Sequence, residues 1–229
     1  LSAFAAVAIR DWPGAPLETE TSREHLRQIL DGVGQALKTR HALKIASAGI
    51  SLSTGSLFLG LWGGPYLNDV HSLTETERGE VLMFMALAGV TGHFAFGKLA
   101  RALNTLKGIV LFGSGLAAVV MATMALWIDP SRLVVTLLFG VLGFACGFPS
   151  ILLAHARAIM PDRLMGRGIA VVNTGIMISI ALMQTAVGII INISAGPDLT
   201  SDAESYRLVF AFLAVMAVAS FLIYTRVDD

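Results

Sequence analysis

Gly168 to Pro197, GIAVVNTGIMISIALMQTAVGIIINISAGP, runs for about thirty residues without one charged side chain, more than the roughly 20 that a helix needs to cross a bilayer. Its apolar residues are consecutive rather than alternating, so the run reads as a membrane-spanning helix and not as a barrel strand. Its last part, Asn192-Ile193-Ser194-Ala195-Gly196-Pro197, has the composition of a loop leaving the membrane.

Working outward, five more uncharged runs follow the same rule: Ile45 to Asn68, Val81 to Gly97, Gly108 to Ile128, Leu133 to Ala154 and Leu208 to Thr225. The second and sixth runs of the chain are only just long enough. The fold class expected is therefore all-α, a polytopic membrane protein of six transmembrane helices. Composition agrees, with 55% hydrophobic and 14% charged residues where soluble domains carry about a quarter charged. The formal net charge is zero, which argues against a nucleic-acid partner. The single cysteine, Cys146, forms neither an intramolecular disulfide nor a zinc site by itself.

Thirteen of the sixteen Lys and Arg residues fall at the two chain ends and in two alternate connections, Lys98 to Lys107 and Arg157 to Arg167; only Arg78, Arg132 and Arg207 lie on the opposite side. The positive-inside rule then puts both termini in the cytoplasm. Residues 1–9 lack an initiator Met and a charged leader and are too short to cross a bilayer, so they read as the end of a preceding span. Residues 10–44 read as a cytoplasmic linker and 45–229 as the six-helix bundle. Within the linker, Thr21-Ser22-Arg23-Glu24 fits a capping box. Leu26, Ile29, Leu30, Val33 and Leu37 then recur at helical spacing, as in an amphipathic helix lying along the membrane or packed on its own bundle. A second capping box, Thr74-Glu75-Thr76-Glu77, starts the second span.

The first and fourth spans share a local pattern. One ends Gly63-Gly64-Pro65 and the other Gly147-Phe148-Pro149. The two helices cross in opposite directions, so the match has the form of an inverted three-plus-three repeat, in which Gly63, Pro65, Gly147 and Pro149 let helices bend around a midplane site.

Several stretches resemble the major facilitator superfamily of transporters, and in particular its last six helices. Gly97-Lys98-Leu99-Ala100-Arg101-Ala102-Leu103-Asn104 resembles the family's Gly-x-Leu-Ala-Asp-Arg-x-Gly loop, with Arg101 where the motif has Asp and Asn104 where it has the second Gly. Met160 to Asn173, MPDRLMGRGIAVVN, is similar to the proline- and glycine-containing run that joins the tenth and eleventh helices. Gly60 to Leu67, GLWGGPYL, is similar to seventh helices of bacterial sugar-phosphate, organic-anion and nitrate permeases. The resemblance implies a permease of a bacterial cytoplasmic (inner) membrane that binds a small solute between two six-helix halves, this chain being the C-terminal one and the N-terminal half its missing partner. Gly97, Arg101, Arg163 and Arg167 would then lie in cytoplasmic gate loops, although the positive-inside rule also accounts for the arginines.

Candidate site residues are the polar and aromatic side chains inside the spans. Ser47, Ser51, Thr54, Phe58 and Trp62 advance by three or four residues and share one face, suited to line a substrate cavity or, for the hydroxyls, to let helices approach closely. Asn173, Met177, Gln184 and Gly188 fall within a sector of roughly 60° at about 100° per residue. The two amides need partners, which another helix or a substrate can supply. His93 is positioned to exchange a proton with a coupling ion gradient or to donate one structural hydrogen bond.

Other classes fit less well. The chain has no P-loop, no His-Glu-x-x-His and no Gly-x-Ser-x-Gly, so neither ATP-driven work nor enzyme chemistry is expected. It also lacks a repeated selectivity filter. The expectation is a secondary transporter without cofactor or metal, whose partners are a small solute, a proton or other coupling ion, and membrane lipid. A membrane enzyme or a channel-like subunit is the alternative.

Overall fold

Helices outlast the uncharged runs, because a helix that carries its polar flanks into the headgroups keeps its own backbone hydrogen bonds intact. The computed structural model describes residues 40–127, 130–160, 165–194 and 203–228. Over these residues it is all-helical, with no strand. Six helices are long and apolar enough to cross a membrane: Leu43–Asp69, Glu75–Leu103, Lys107–Leu126, Arg132–Ile159, Met165–Ser194 and Ala203–Tyr224.

The first span is composite. It joins α1 (Arg40–Ala46), α2 (Ala48–Leu57), a π-helical turn (Phe58–Trp62) and α3 (Gly63–Asp69). The second span is α4 (Glu75–Leu103) and the third α5 (Lys107–Leu126); the fourth is α6 (Arg132–Ala145) followed by α7 (Pro149–Ile159). The fifth is α8 (Met165–Ser194) and the sixth α9 (Ala203–Tyr224). Helix α8 continues through Asn192–Ser194, where the sequence reads as a loop. Residues 1–9, the rest of the linker to residue 39, and Gly196 with Pro197 lie outside the described residues.

Local chemistry sets the helix ends. The second span opens on its capping box: Thr74 Oγ1 accepts from the Glu77 N–H, and the Glu77 carboxylate accepts from the Thr74 N–H at 2.9 Å, satisfying two of the donors that a helix start leaves free. It closes on Asn104 at φ 49°, a left-handed position that suits glycine or asparagine. Arg132 reaches from the start of the fourth span to Glu77 and Glu80, tying the ends of the second and fourth spans together.

Glycines set the packing. Spans two and four cross so closely that a Cβ on Gly92 would sit 2.4 Å from the Phe144 carbonyl oxygen, and one on Gly143 would sit 2.1 Å from that of Met85. Spans one and five make an equivalent crossing, where a Cβ on Gly49 would lie 2.7 Å from Ile176 Cα and one on Gly175 would lie 2.6 Å from Ala46 Cβ. Small residues are the usual means of close approach in membranes, where lipid is as apolar as leucine and contact area does the work. Spans three and six pack along each other extensively. The first span is the most enclosed, with 61% of its central window buried against 22% for the second and the fifth.

Candidate functional site

The two glycine crossings leave a groove of about 470 Å³ between spans one, two, four and five, within the size range of small-molecule sites. Leu52, Ser56 and Leu59 line it from the first span, Met85, Gly89 and His93 from α4, and Asn173, Met177 and Ile180 from α8. Each trio follows helical spacing, so three helix faces converge. The fourth span contributes Gly143, Cys146 and Pro149. There α6 ends at Ala145, the Gly147 N–H bonds the Phe144 carbonyl at 3.0 Å, and Pro149 opens α7 at its first turn, a position that costs proline no hydrogen bond. Gly147 allows this break to lie against α4: a Cβ there would be 2.7 Å from the His93 backbone nitrogen.

Polar groups on the groove are few. Among the described residues no Asp, Glu, Lys or Arg lines it, and its hydrogen-bonding side chains apart from the Cys146 thiol are Ser56, His93 and Asn173. The Ser56 hydroxyl donates to the Leu52 carbonyl at 3.3 Å. His93 Nδ1 lies 2.8 Å from the Gly89 carbonyl. A carbonyl only accepts, so Nδ1 carries the hydrogen, and Nε2 of the neutral ring is left as an acceptor. Asn173 is exposed on the groove, and its amide makes no hydrogen bond to the described residues.

Of the residues expected to line a cavity, the groove brings together His93, Asn173 and Met177. Ser51, Thr54 and Phe58 lie elsewhere: their shared face turns into the bundle, and each is essentially buried. Ser51 donates to Ser220 at 3.0 Å, and Ser220 donates to the Ser47 carbonyl at 2.8 Å. Thr54 donates to the Ser51 carbonyl at 2.7 Å. Phe58 stacks on Phe210 at 5.0 Å and meets Phe139 edge-on at 5.9 Å. These side chains are the seam of the bundle, because the first span is its most enclosed helix. Trp62 and Gln184 are half-buried and off the groove. The Trp62 indole N–H is shielded from solvent, with no acceptor among the described residues.

Gly63 and Pro65 follow the π-helical turn directly; Gly147 lies within the interruption of the fourth span, and Pro149 ends it. Gly97 and Arg101 flank a shallow recess with Asn104 and Thr105; Arg167 is exposed at the start of α8, and Arg163 lies outside the described residues.

Sequence spacing misses Ser56, which stands four residues after Leu52 and three before Leu59. That register identifies the groove side of the first span. A second histidine is also inside a span: His155 in α7 is buried, and its Nε2 donates to the Asp228 carbonyl at 3.0 Å while its ring meets the Tyr224 hydroxyl. Histidine is thus used structurally at the end of the bundle and left facing open space in the groove.

No protein-family model and no curated protein matches the chain.

Proposed function

We propose that the chain is the C-terminal half of a secondary active transporter of the major facilitator type, in which a small solute crosses by alternating access and the groove is this half's share of the site. The observation that carries the reading is the low burial of spans two and five, at 22% each, on either side of a groove that no other described residue covers. Exposed apolar side chains on the two helices, among them Leu87, Phe94, Ile178 and Leu182, fit contact with a further helical body.

The packing pattern supports an inverted three-plus-three repeat. Exchanging spans one to three for spans four to six turns the second-with-fourth crossing into the fifth-with-first crossing, and maps the third-with-sixth packing onto itself. Both crossings are glycine-mediated, and the two interrupted spans, first and fourth, are partners under the same exchange. In such folds discontinuous helices and repeat symmetry accompany a midplane site. The left-handed Asn104, standing where the family's loop motif has glycine, supports equivalence of that loop. The distribution of cations supports cytoplasmic termini, and the likeness to bacterial permeases supports an inner-membrane location.

The reading predicts six further membrane spans upstream in the parent reading frame. Sequencing a parent frame without them would overturn it, whatever the groove binds.

A further inference from the structure

We propose that the groove seats a neutral, largely apolar part of the solute that donates a hydrogen bond, as a hydrophobic alcohol or phenol does. This rests on the groove's being this half's share of the solute site and names the chemistry of the part it seats.

The inference comes from which hydrogens on the groove are already used. The Ser56 hydroxyl hydrogen is directed to the Leu52 carbonyl, and the His93 Nδ1 hydrogen to the Gly89 carbonyl. Both side chains therefore offer lone pairs, Ser56 through Oγ and His93 through Nε2. Only the Asn173 amide retains strong uncommitted donors. A carboxylate or phosphate needs several converging donors or a cation, and no Lys or Arg lines the groove. An organic cation would meet no Asp or Glu there and would lose its hydration without compensation. A sugar carries many hydroxyls, each of which loses water on burial, and three polar side chains cannot satisfy them. What remains matches Leu52, Leu59, Val90, Ile176 and Ile180 along an apolar body and gives one donor to the acceptors.

The test is equilibrium binding of two probes to the full-length protein in lipid nanodiscs: 1-naphthol and 1-methoxynaphthalene. One net hydrogen bond corresponds to roughly a fivefold preference, so 1-naphthol is expected to bind about fivefold more tightly than its methyl ether. His93→Phe combined with Ser56→Ala takes away both the Nε2 and the Oγ acceptor on the groove and removes the preference. Met177→Trp, at a 53% exposed side chain, fills the groove and weakens both, which separates binding from partition into lipid. Equal binding of alcohol and ether, or an undiminished preference in the double variant, overturns the inference. Six upstream spans with no alcohol preference would sink this inference alone; an alcohol preference lost in the double variant without upstream spans would sink only the transporter reading.

Discussion

Ser220 carries two interhelical bonds at once, accepting from Ser51 and donating to the Ser47 carbonyl, in a place where none of its surface is exposed. Hydrogen bonds between membrane helices are worth about 0.6 kcal/mol on average and up to roughly 1.7. Ser220→Ala removes both and leaves the Ser51 donor buried, so a loss of about 1–2 kcal/mol is expected in thermal unfolding of the purified protein. Thr136→Ala, at a side chain that bonds only the Arg132 carbonyl of its own helix, serves as control and is expected to cost under about 0.5 kcal/mol. Equal effects would show that the Ser47, Ser51 and Ser220 seam contributes nothing. The same residues mark what the sequence reveals about the site and what it hides. Polar spacing on the first span correctly groups Ser51, Thr54 and Phe58 on one face, but grouping does not say which way the face looks. In a soluble helix, polarity would decide. In lipid the outward face is as apolar as the core, so that signal is missing, and groove positions such as Leu59 and Ile180 read like any other apolar residue. His93, Asn173 and Met177 emerge because they are unusual in hydrocarbon or share a helix face with a residue that is.

At the scale of elements, the uncharged runs locate all six spans because hydrocarbon excludes charge whatever the tertiary contacts. Their ends are less legible, since a helix continues through charged flanks once these reach the headgroups, as α4 does from Glu75 to Leu103. The π-helical turn in the first span is legible only as the Gly63-Gly64-Pro65 cluster, and the two glycines turn out to differ. Gly63 donates its N–H to the Phe58 carbonyl, and a Cβ there would lie 2.0 Å from that same oxygen. A Cβ on Gly64 would meet nothing within 4 Å. Gly63→Ala must therefore shift the turn, at about 1–3 kcal/mol by analogy with overpacked sites. Gly64→Ala gains the better helix propensity of alanine but meets the restriction that Pro65 puts on a preceding residue in a helix, so its net effect is expected within about 1 kcal/mol of zero. Midpoints of thermal unfolding for the two variants measure the difference directly. Indistinguishable midpoints would mean that the π-helical turn imposes no glycine requirement.

For the whole molecule the question is orientation, and side-chain pairing sharpens the argument from cation counts. Each basic residue on the less basic side has a carboxylate partner: Arg78 with Glu75 at 4.0 Å, Arg132 with Glu77 and Glu80, and Arg207 with Glu204 at 3.0 Å. On the other side Lys98, Arg101, Lys107, Arg157 and Arg167 make no ion pair with the described residues, which suits the proposed orientation, in which they would meet the anionic lipid of a cytoplasmic leaflet. Cations without an ion pair among the described residues therefore gather at one end of the bundle, with the ends of α4 and α7 and the starts of α5 and α8. Cysteine labelling of intact cells tests the assignment, in a Cys146→Ala background because the native thiol lies on the groove. Ser131→Cys stands exposed before α6, and Gly166→Cys stands exposed near the start of α8, where an added Cβ meets nothing within 4 Å. With both termini inside, a membrane-impermeant maleimide modifies Ser131→Cys on intact cells and reaches Gly166→Cys only after permeabilisation. The opposite pattern would invert the protein in the membrane and assign the unpaired arginines a role other than topology.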